Sequence, residues 1–286
     1  MLISFKAKVV DLFTVVWDKV DRHRGLAHLF CDATLPSLMQ PGNLPEASSL
    51  VGSYRIYADD RSRGIITQSD YYREMEKLVS VSWHQLCKGA GDVNSNIIEQ
   101  MRYSIQRGSH MLIVSPDWLF GNGSIANMAR LCSEGKYQLI LFGFPKIDPK
   151  VFYELGNRLK SGGTISNREL VSVAMADGGG YPIDIITREE NNWIVSCRVP
   201  TPCIKPDSSV IDFFATNNTP NQGYDHALPY WMIERGCSWH IVDDSDFFFL
   251  IEEAEAWRGG SGPWGLDLLS KTDQFFRNYR QVWRGK

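Results

Sequence analysis

The chain holds 286 residues, 43% hydrophobic and 12% aromatic, with 30 basic against 33 acidic side chains and a formal net charge of −3. That balance excludes an intrinsically disordered chain and leaves no global field to attract nucleic acid, so any anion site has to be local. The length fits one large α/β domain or two small ones, either able to bury a sizeable core.

Lys6 and Lys8 precede the apolar stretch from Val9 to Trp17, loosely in the manner of a secretory leader. Asp11 interrupts that stretch and no small-residue cleavage site follows, so it reads as a buried first strand. No run approaches the roughly 20 apolar residues that a bilayer span needs. Cys31, Cys87, Cys132, Cys197, Cys203 and Cys237 contain no C-x-x-C, and the Cys197–Cys203 spacing is wrong for a zinc knuckle. They read as the reduced thiols of a cytoplasmic protein.

From the amino end, Val9–Val16 and Tyr54–Ala58 read as strands, and 25–39 between them as a helix that stops at PSLMQPGNLP. Thr67 followed by Asp70 is a capping signature that opens a helix expected to run to about Leu86. Val93, Ile97, Ile98, Met101 and Ile105 recur at helical spacing up to Gly108. Met111–Val114 and Tyr137–Phe142 are short apolar runs suited to strands covered on both faces, with a helix over 124–133 between them. Alternation of this kind implies a mostly parallel sheet wrapped by helices.

After about residue 148 the pattern becomes irregular. Ser166 to Glu169 is a capping box that opens a helix to about Ala176, and the glycines 178–180 end it. Trp193–Val199 and Ser238–Val242 read as strands, 246–251 as a third candidate, and 266–283 as a terminal helix. The division expected is 1–148 as a nucleotide-type α/β half and 149–286 as a more irregular half with a C-terminal helix that completes the site, together one compact domain.

Ligands of open parallel sheets bind beyond the carboxyl ends of the strands. Three strand ends qualify: Thr14 to Asp18, Tyr57 to Asp60, and Ser115-Pro116-Asp117 leading into a Gly-Asn-Gly-Ser helix start. Asp117 is suited either to holding a divalent cation through oxygen or to accepting backbone hydrogen bonds in a β–α turn. His240 followed by Asp243, Asp244 and Asp246 forms a second acidic cluster, read either as a cation site or as a solvated turn. His226 is a loop candidate for a base or ligand, and Trp118, Trp231, Trp257 and Trp264 are core residues or sugar platforms. Arg277, Arg280, Arg284 and Lys286 are the favourable charge of a helix C-terminus. G-x-S-x-G, Walker A, H-E-x-x-H and a strand-linked G-x-G-x-x-G are absent from the sequence.

The ordered set FTVVW, LPSLMQPGNLP, YRIYADD, HMLIVSPDWLFGNGSIANMARLCSEGKYQLILF, TISNRELVSVA and IVDDSDFFFLIEE covers about residues 9 to 253. It resembles bacterial glycosyltransferase-like proteins of the nucleotide-diphospho-sugar transferase (GT-A) fold. The resemblance implies a GT-A-like α/β fold, with a mostly parallel Rossmann-type sheet flanked by helices and an irregular acceptor half. It implies a nucleotide-sugar donor, a carbohydrate or glycan acceptor, assistance by Mn²⁺ or Mg²⁺, and no nucleic-acid partner. Thr14, Val15, Trp17, Tyr57, Asp59 and Asp60 would then bind the nucleotide, Asp117 and His240 the metal, and Asp244 or Asp246 would be the catalytic base. The sequence departs from the family's D-x-D motif at Ser115, and a literal D-x-D occurs only late, at 244–246. Two alternatives follow: a catalytically inactive relative that binds a sugar nucleotide or a protein partner, and a metal-dependent hydrolase using Asp117, His240, Asp244 and Asp246.

Overall fold

The fold is described from a computed structural model that covers residues 8–16, 25–86, 93–177, 183–197, 200–217, 228–254 and 274–286. β1 (Val10–Val16) is followed by α1 (Leu26–Leu29), a π-helical turn (Phe30–Thr34) and α2 (Leu35–Leu38), which run on without a break in helical backbone. Pro36 explains the wide turn. It lacks the N–H that would reach the Asp32 carbonyl, and its ring would crowd that carbonyl in a regular helix. α3 (Leu44–Ala47), β2 (Val51–Ala58), α4 (Asp60–Ile66), α5 (Asp70–Leu78) and β3 (Val81–Gln85) come next.

The expected helix to Leu86 therefore ends at Leu78, and 81–85 pairs as an edge strand. The β-favouring residues Val79, Val81 and Trp83 outweigh the capping signal there. α6 (Val93–Arg107), β4 (His110–Ile113), β5 (Trp118–Phe120), α7 (Ser124–Ser133) and β6 (Leu139–Phe142) follow as alternating elements. Then come β7 (Lys146–Ile147), α8 (Pro149–Lys160) and α9 (Asn167–Ala176), with Ser166 Oγ accepting from the Glu169 amide as the capping box requires.

The remaining elements are β8 (Ile183–Glu189), β9 (Asn192–Cys197), β10 (Thr201–Ile204), α10 (Ser208–Asn217), α11 (Leu228–Glu234), β11 (Trp239–Ile241), β12 (Leu250–Glu253) and β13 (Gln281–Arg284). The expected terminal helix is replaced over 281–284 by a strand on β9; residues 266–273 of that expectation lie outside the described residues. Trp283 packs edge-on to Phe249, and backbone bonds run from the Val282 and Ser245 amides to the carbonyls of Asp243 and Val282. Arg284 consequently pairs with Asp244 rather than completing a helix terminus.

Seven strands form the central sheet in the order β11-β6-β10-β4-β1-β2-β3. Each neighbouring pair is parallel except the two that involve β10. The mixed α/β architecture expected from the alternating pattern is thus present, with a mostly parallel sheet flanked by helices. Two strands from after residue 148, β10 and β11, complete it. Strand alternation divides the core between its two faces. Leu12, Ile56, Leu112 and Ile140 join one cluster with residues of α1, α2 and α7, while Phe13, Tyr57, Met111, Leu139 and Leu141 join another with residues of α6 and α10.

Two three-stranded sheets accompany the central one, β5-β12-β7 and β13-β9-β8. Among the described residues no helix is long and apolar enough to cross a membrane. Cys31, Cys132, Cys203 and Cys237 are free, and burial together with the neighbouring Cys132 raises the Cys203 thiol well above its ordinary range.

Candidate active site

The strand order 3-2-1-4 reverses between β1 and β4, and the carboxyl edge at such a reversal is where open parallel sheets bind ligands. Val114 still bonds β1, its amide donating to the Phe13 carbonyl at 2.8 Å, and Asp117 lies three residues beyond it. The exit segment is held by polar side chains from the stretch after β1. Thr34 Oγ1 donates to the Pro116 carbonyl at 2.8 Å, and Ser37 Oγ accepts from the Phe120 amide at 3.1 Å. Gln40 donates to the Phe120 carbonyl at 2.8 Å and accepts from the Ile165 amide at 2.7 Å.

Asn43 is the hub of this network. Its amide nitrogen donates to the carbonyls of Ser37 and Gly121, and its oxygen accepts from the amides of Gly123 and Ile125, both at 3.0 Å. The two stretches PSLMQPGN and WLFGNGS are thereby locked together, because a buried backbone group without a partner would be costly. Gly121 is required by contact: a Cβ there would lie 1.9 Å from Asn167 Oδ1.

Asp117 and Glu252 are each only 5% exposed. Glu252 stands opposite Trp118 in the β5–β12 pair and opposite Lys146 in the β7–β12 pair. Lys146 Nζ lies 3.3 Å from Glu252 Oε1, the Trp118 side chain hydrogen-bonds the same carboxyl, and Ser115 Oγ donates to Asp117 Oδ1. Burial first, and the Asp117 carboxylate second, push the Glu252 carboxyl up to about 8, against the pull of Lys146 and Trp118. A carboxyl that exchanges its proton near neutral pH therefore sits beside the exit of β4.

The expected nucleotide residues are mostly inside the protein. Thr14 is fully buried with its hydroxyl 2.6 Å from that of Tyr54, and Val15 faces the α6 cluster. Tyr57 is buried and stacked on His84 at 5.0 Å. Strand alternation leaves neither face of the central strands open, which is why residues before the strand end point into core rather than crevice. Asp59 accepts from the Ser62 amide at 2.7 Å as the cap of α4, and Asp60 is exposed at its first turn. Trp17, His226, Trp257 and Trp264 lie outside the described residues. Trp118 is core, and Trp231 is half-buried against Phe213 at 4.3 Å with Arg235 over its ring.

Asp117 and His240 do not come together as a metal pair. In register, Leu112, Cys203, Ile140 and His240 lie side by side across four strands, which puts His240 about 14 Å from Leu112. The His240 ring instead stacks on Tyr137 at 5.0 Å. Asp246 is gripped by Arg168 through contacts of 2.6–3.2 Å, and Asp244 by Arg284 at 3.1 and 3.2 Å. These two carboxylates clasp β13 and α9 to the turn after β11. Among the described residues no three His, Cys, Asp or Glu side chains converge as a cation site. The Asp117–Glu252 pair has its compensating charge in Lys146, so the described donors do not fit a resident Mn²⁺ or Mg²⁺, and no hydrolytic cluster of Asp117, His240, Asp244 and Asp246 forms.

The sequence reading missed Glu252, Lys146 and the Asn43 hub. Two acids closing the apolar run FFFLIEE were the available signal, since acids continuing a buried run have to be buried with it. It also missed Arg55, which is buried on β2. Its guanidinium pairs with Glu99 at 2.8 Å, donates to His84 at 2.9 Å, and lies 4.3 Å from the Tyr103 ring centroid.

No family model matches the chain, and no curated protein matches it in sequence. Solved structures share parts of its shape. TarS from S. aureus matches 49% of this chain at 11% identity and a TM-score of 0.34, and the chain spans 22% of that protein. An apo UDP-glucose pyrophosphorylase matches 94% of this chain and 99% of its own, at 7% identity and a TM-score of 0.42. The mannosyltransferase PcManGT from Pyrobaculum calidifontis, solved with GDP-Man and Mn²⁺, matches 93% of this chain and 69% of its own, at 10% identity and a TM-score of 0.43. Likenesses at this level assign no role to any residue.

Proposed function

We propose that this chain transfers a sugar from a nucleoside-diphosphate donor to an acceptor hydroxyl. The observation that carries the reading is the buried Asp117–Glu252 pair at the switch point of a mostly parallel sheet, where such sheets bind nucleotides. In this reading Glu252 takes the proton from the acceptor hydroxyl as its oxygen attacks the anomeric carbon and the bond to the diphosphate breaks. Asp117 places negative charge beside the oxocarbenium-like sugar of the transition state. Lys146 keeps the two acids from repelling each other apart. The base is reassigned from Asp244 or Asp246 to Glu252, because the earlier candidates are committed to arginines. No step is given to a divalent cation.

The test is calorimetric titration of the full chain with UDP, GDP and their sugar conjugates, with and without Mn²⁺. Binding of one base, weakened in Asp117→Asn, supports the reading, and absence of heat across the whole panel removes it. The arginine clasps on Asp244 and Asp246 favour a second reading, a binder of sugar nucleotides without turnover, which donor turnover would exclude.

A further inference from the structure

The acids beside the exit of β4 have a cation of their own. Glu252 stands between Trp118 and Lys146 in the register of β5, β12 and β7, so the three residues lie in one row with neighbours about 4.8 Å apart. Lys146 Nζ comes within 3.3 Å of Glu252 Oε1, and the lysine side chain is only 16% exposed. Asp117 joins the row from the residue before Trp118 and lies close enough for Glu252 to feel its charge. Strand alternation turns Glu253 to the opposite face, and its backbone amide donates to the Asp117 carbonyl at 3.1 Å.

The surroundings make that charge pattern selective. Phe120, Phe142 and Phe144 pack against the Trp118 ring with centroids 5.0–6.2 Å away. In so apolar a setting opposite charges attract strongly and like charges repel strongly. A divalent cation at the acid pair would have to displace the Lys146 ammonium or lie beside it. It would also need several oxygen ligands in near-octahedral order. Two residues before Asp117, Ser115 supplies a hydroxyl where a second carboxylate could stand, and that hydroxyl donates to Asp117 Oδ1. A divalent cation here is opposed by charge and short of donors.

We infer that the Lys146 ammonium is the cation of this site, so that the chain binds a nucleoside diphosphate without Mn²⁺ or Mg²⁺ and takes up a divalent cation only when Lys146 is neutralised. An ammonium is a compact point charge with three donors, suited to a phosphate oxygen as well as to a carboxylate. The choice of anion rests on the transferase reading, in which Lys146 offsets the charge that grows on the departing diphosphate. The discrimination against a divalent cation stands on the row of side chains itself.

The experiment is titration of the full chain with Mn²⁺ alone, no nucleotide present, followed by the EPR signal of the free ion. Wild type and Lys146→Arg, which keeps the charge, should show no Mn²⁺ binding that Asp117→Asn removes. Lys146→Met should bind Mn²⁺ at least about ten-fold more tightly than wild type, because a positive neighbour is gone, and adding Asp117→Asn should cancel the gain. Calorimetric titration with UDP and GDP is then run in EDTA and in Mn²⁺, and wild-type affinity should be the same in both to within about two-fold. Asp117-dependent Mn²⁺ binding by wild type, or a folded Lys146→Met with no gain, overturns the inference. If Lys146→Met does not fold, wild type and Lys146→Arg decide it. Nucleotide binding that requires Mn²⁺ overturns the inference and keeps the transferase. No nucleotide binding in either buffer removes the transferase, and the Mn²⁺ titration alone then decides the role of Lys146.

Discussion

Glu252→Gln should change how stability depends on pH. The unfolded chain releases this proton near the ordinary 4.5, whereas the folded chain holds it up to about 8. Between those values the folded state binds more protons than the unfolded one, so the wild-type carboxyl lowers stability as pH rises and stops doing so above about 8. The slope for one proton is about 1.4 kcal/mol per pH unit, or about 2.7 kcal/mol between about pH 5.5 and about pH 7.5. Glutamine has the same shape and no proton to lose, so the variant should gain that much on wild type across the interval. Urea denaturation of both proteins at the two pH values measures it, with the linear slopes compared to confirm two-state behaviour. A stability difference between the two proteins that is the same at both pH values would refute the assignment of Glu252 as the buried, protonated carboxyl.

Other outcomes follow from the same geometry. Gly121→Ala sets a methyl group into Asn167 and should cost about 1–3 kcal/mol in urea denaturation. Asn43→Leu leaves the Gly123 and Ile125 amides without their acceptor and should cost about 2–6 kcal/mol, read from the thermal or urea midpoint. His84 and His110 are both held below their ordinary range, chiefly by burial, so the stability their neutral forms give is present above about pH 6.5 and lost as pH falls below it. The doubly substituted His84→Gln, His110→Gln protein should show a flatter acid limb in guanidinium denaturation from neutral to mildly acidic pH.

Much of the fold was legible because periodicity and punctuation agreed. α6, α7 and α9 each combine an apolar pattern with a glycine or cap at the boundary, β1 is a run of apolar and β-branched residues, and all four lie where those signals put them. The misses share a cause. β3, β10 and β13 are four or five residues long, too short for a period to register, and their strand state is set by partners far away in sequence.

The site was legible as a location and less so as a residue list. Strand ends pointed to Asp117, but Glu252 reaches it through the β5–β12 pairing, 135 residues downstream, which no local spacing encodes. Asp244 and Asp246 looked like free acids because Arg168 and Arg284 are distant in sequence, and only the folded chain brings them together.

The central claim is that Glu252 acts as the base of a sugar transfer. It is tested most directly by incubating wild type and Glu252→Gln with the nucleotide sugar that binds and a glycoside panel, following release of nucleoside diphosphate by ³¹P NMR. The account predicts release by wild type that rises with pH up to about 8, and a loss of about 10²–10⁴-fold in Glu252→Gln with nucleotide affinity unchanged. Equal release by both proteins, or none by wild type with a donor it demonstrably binds, would contradict it.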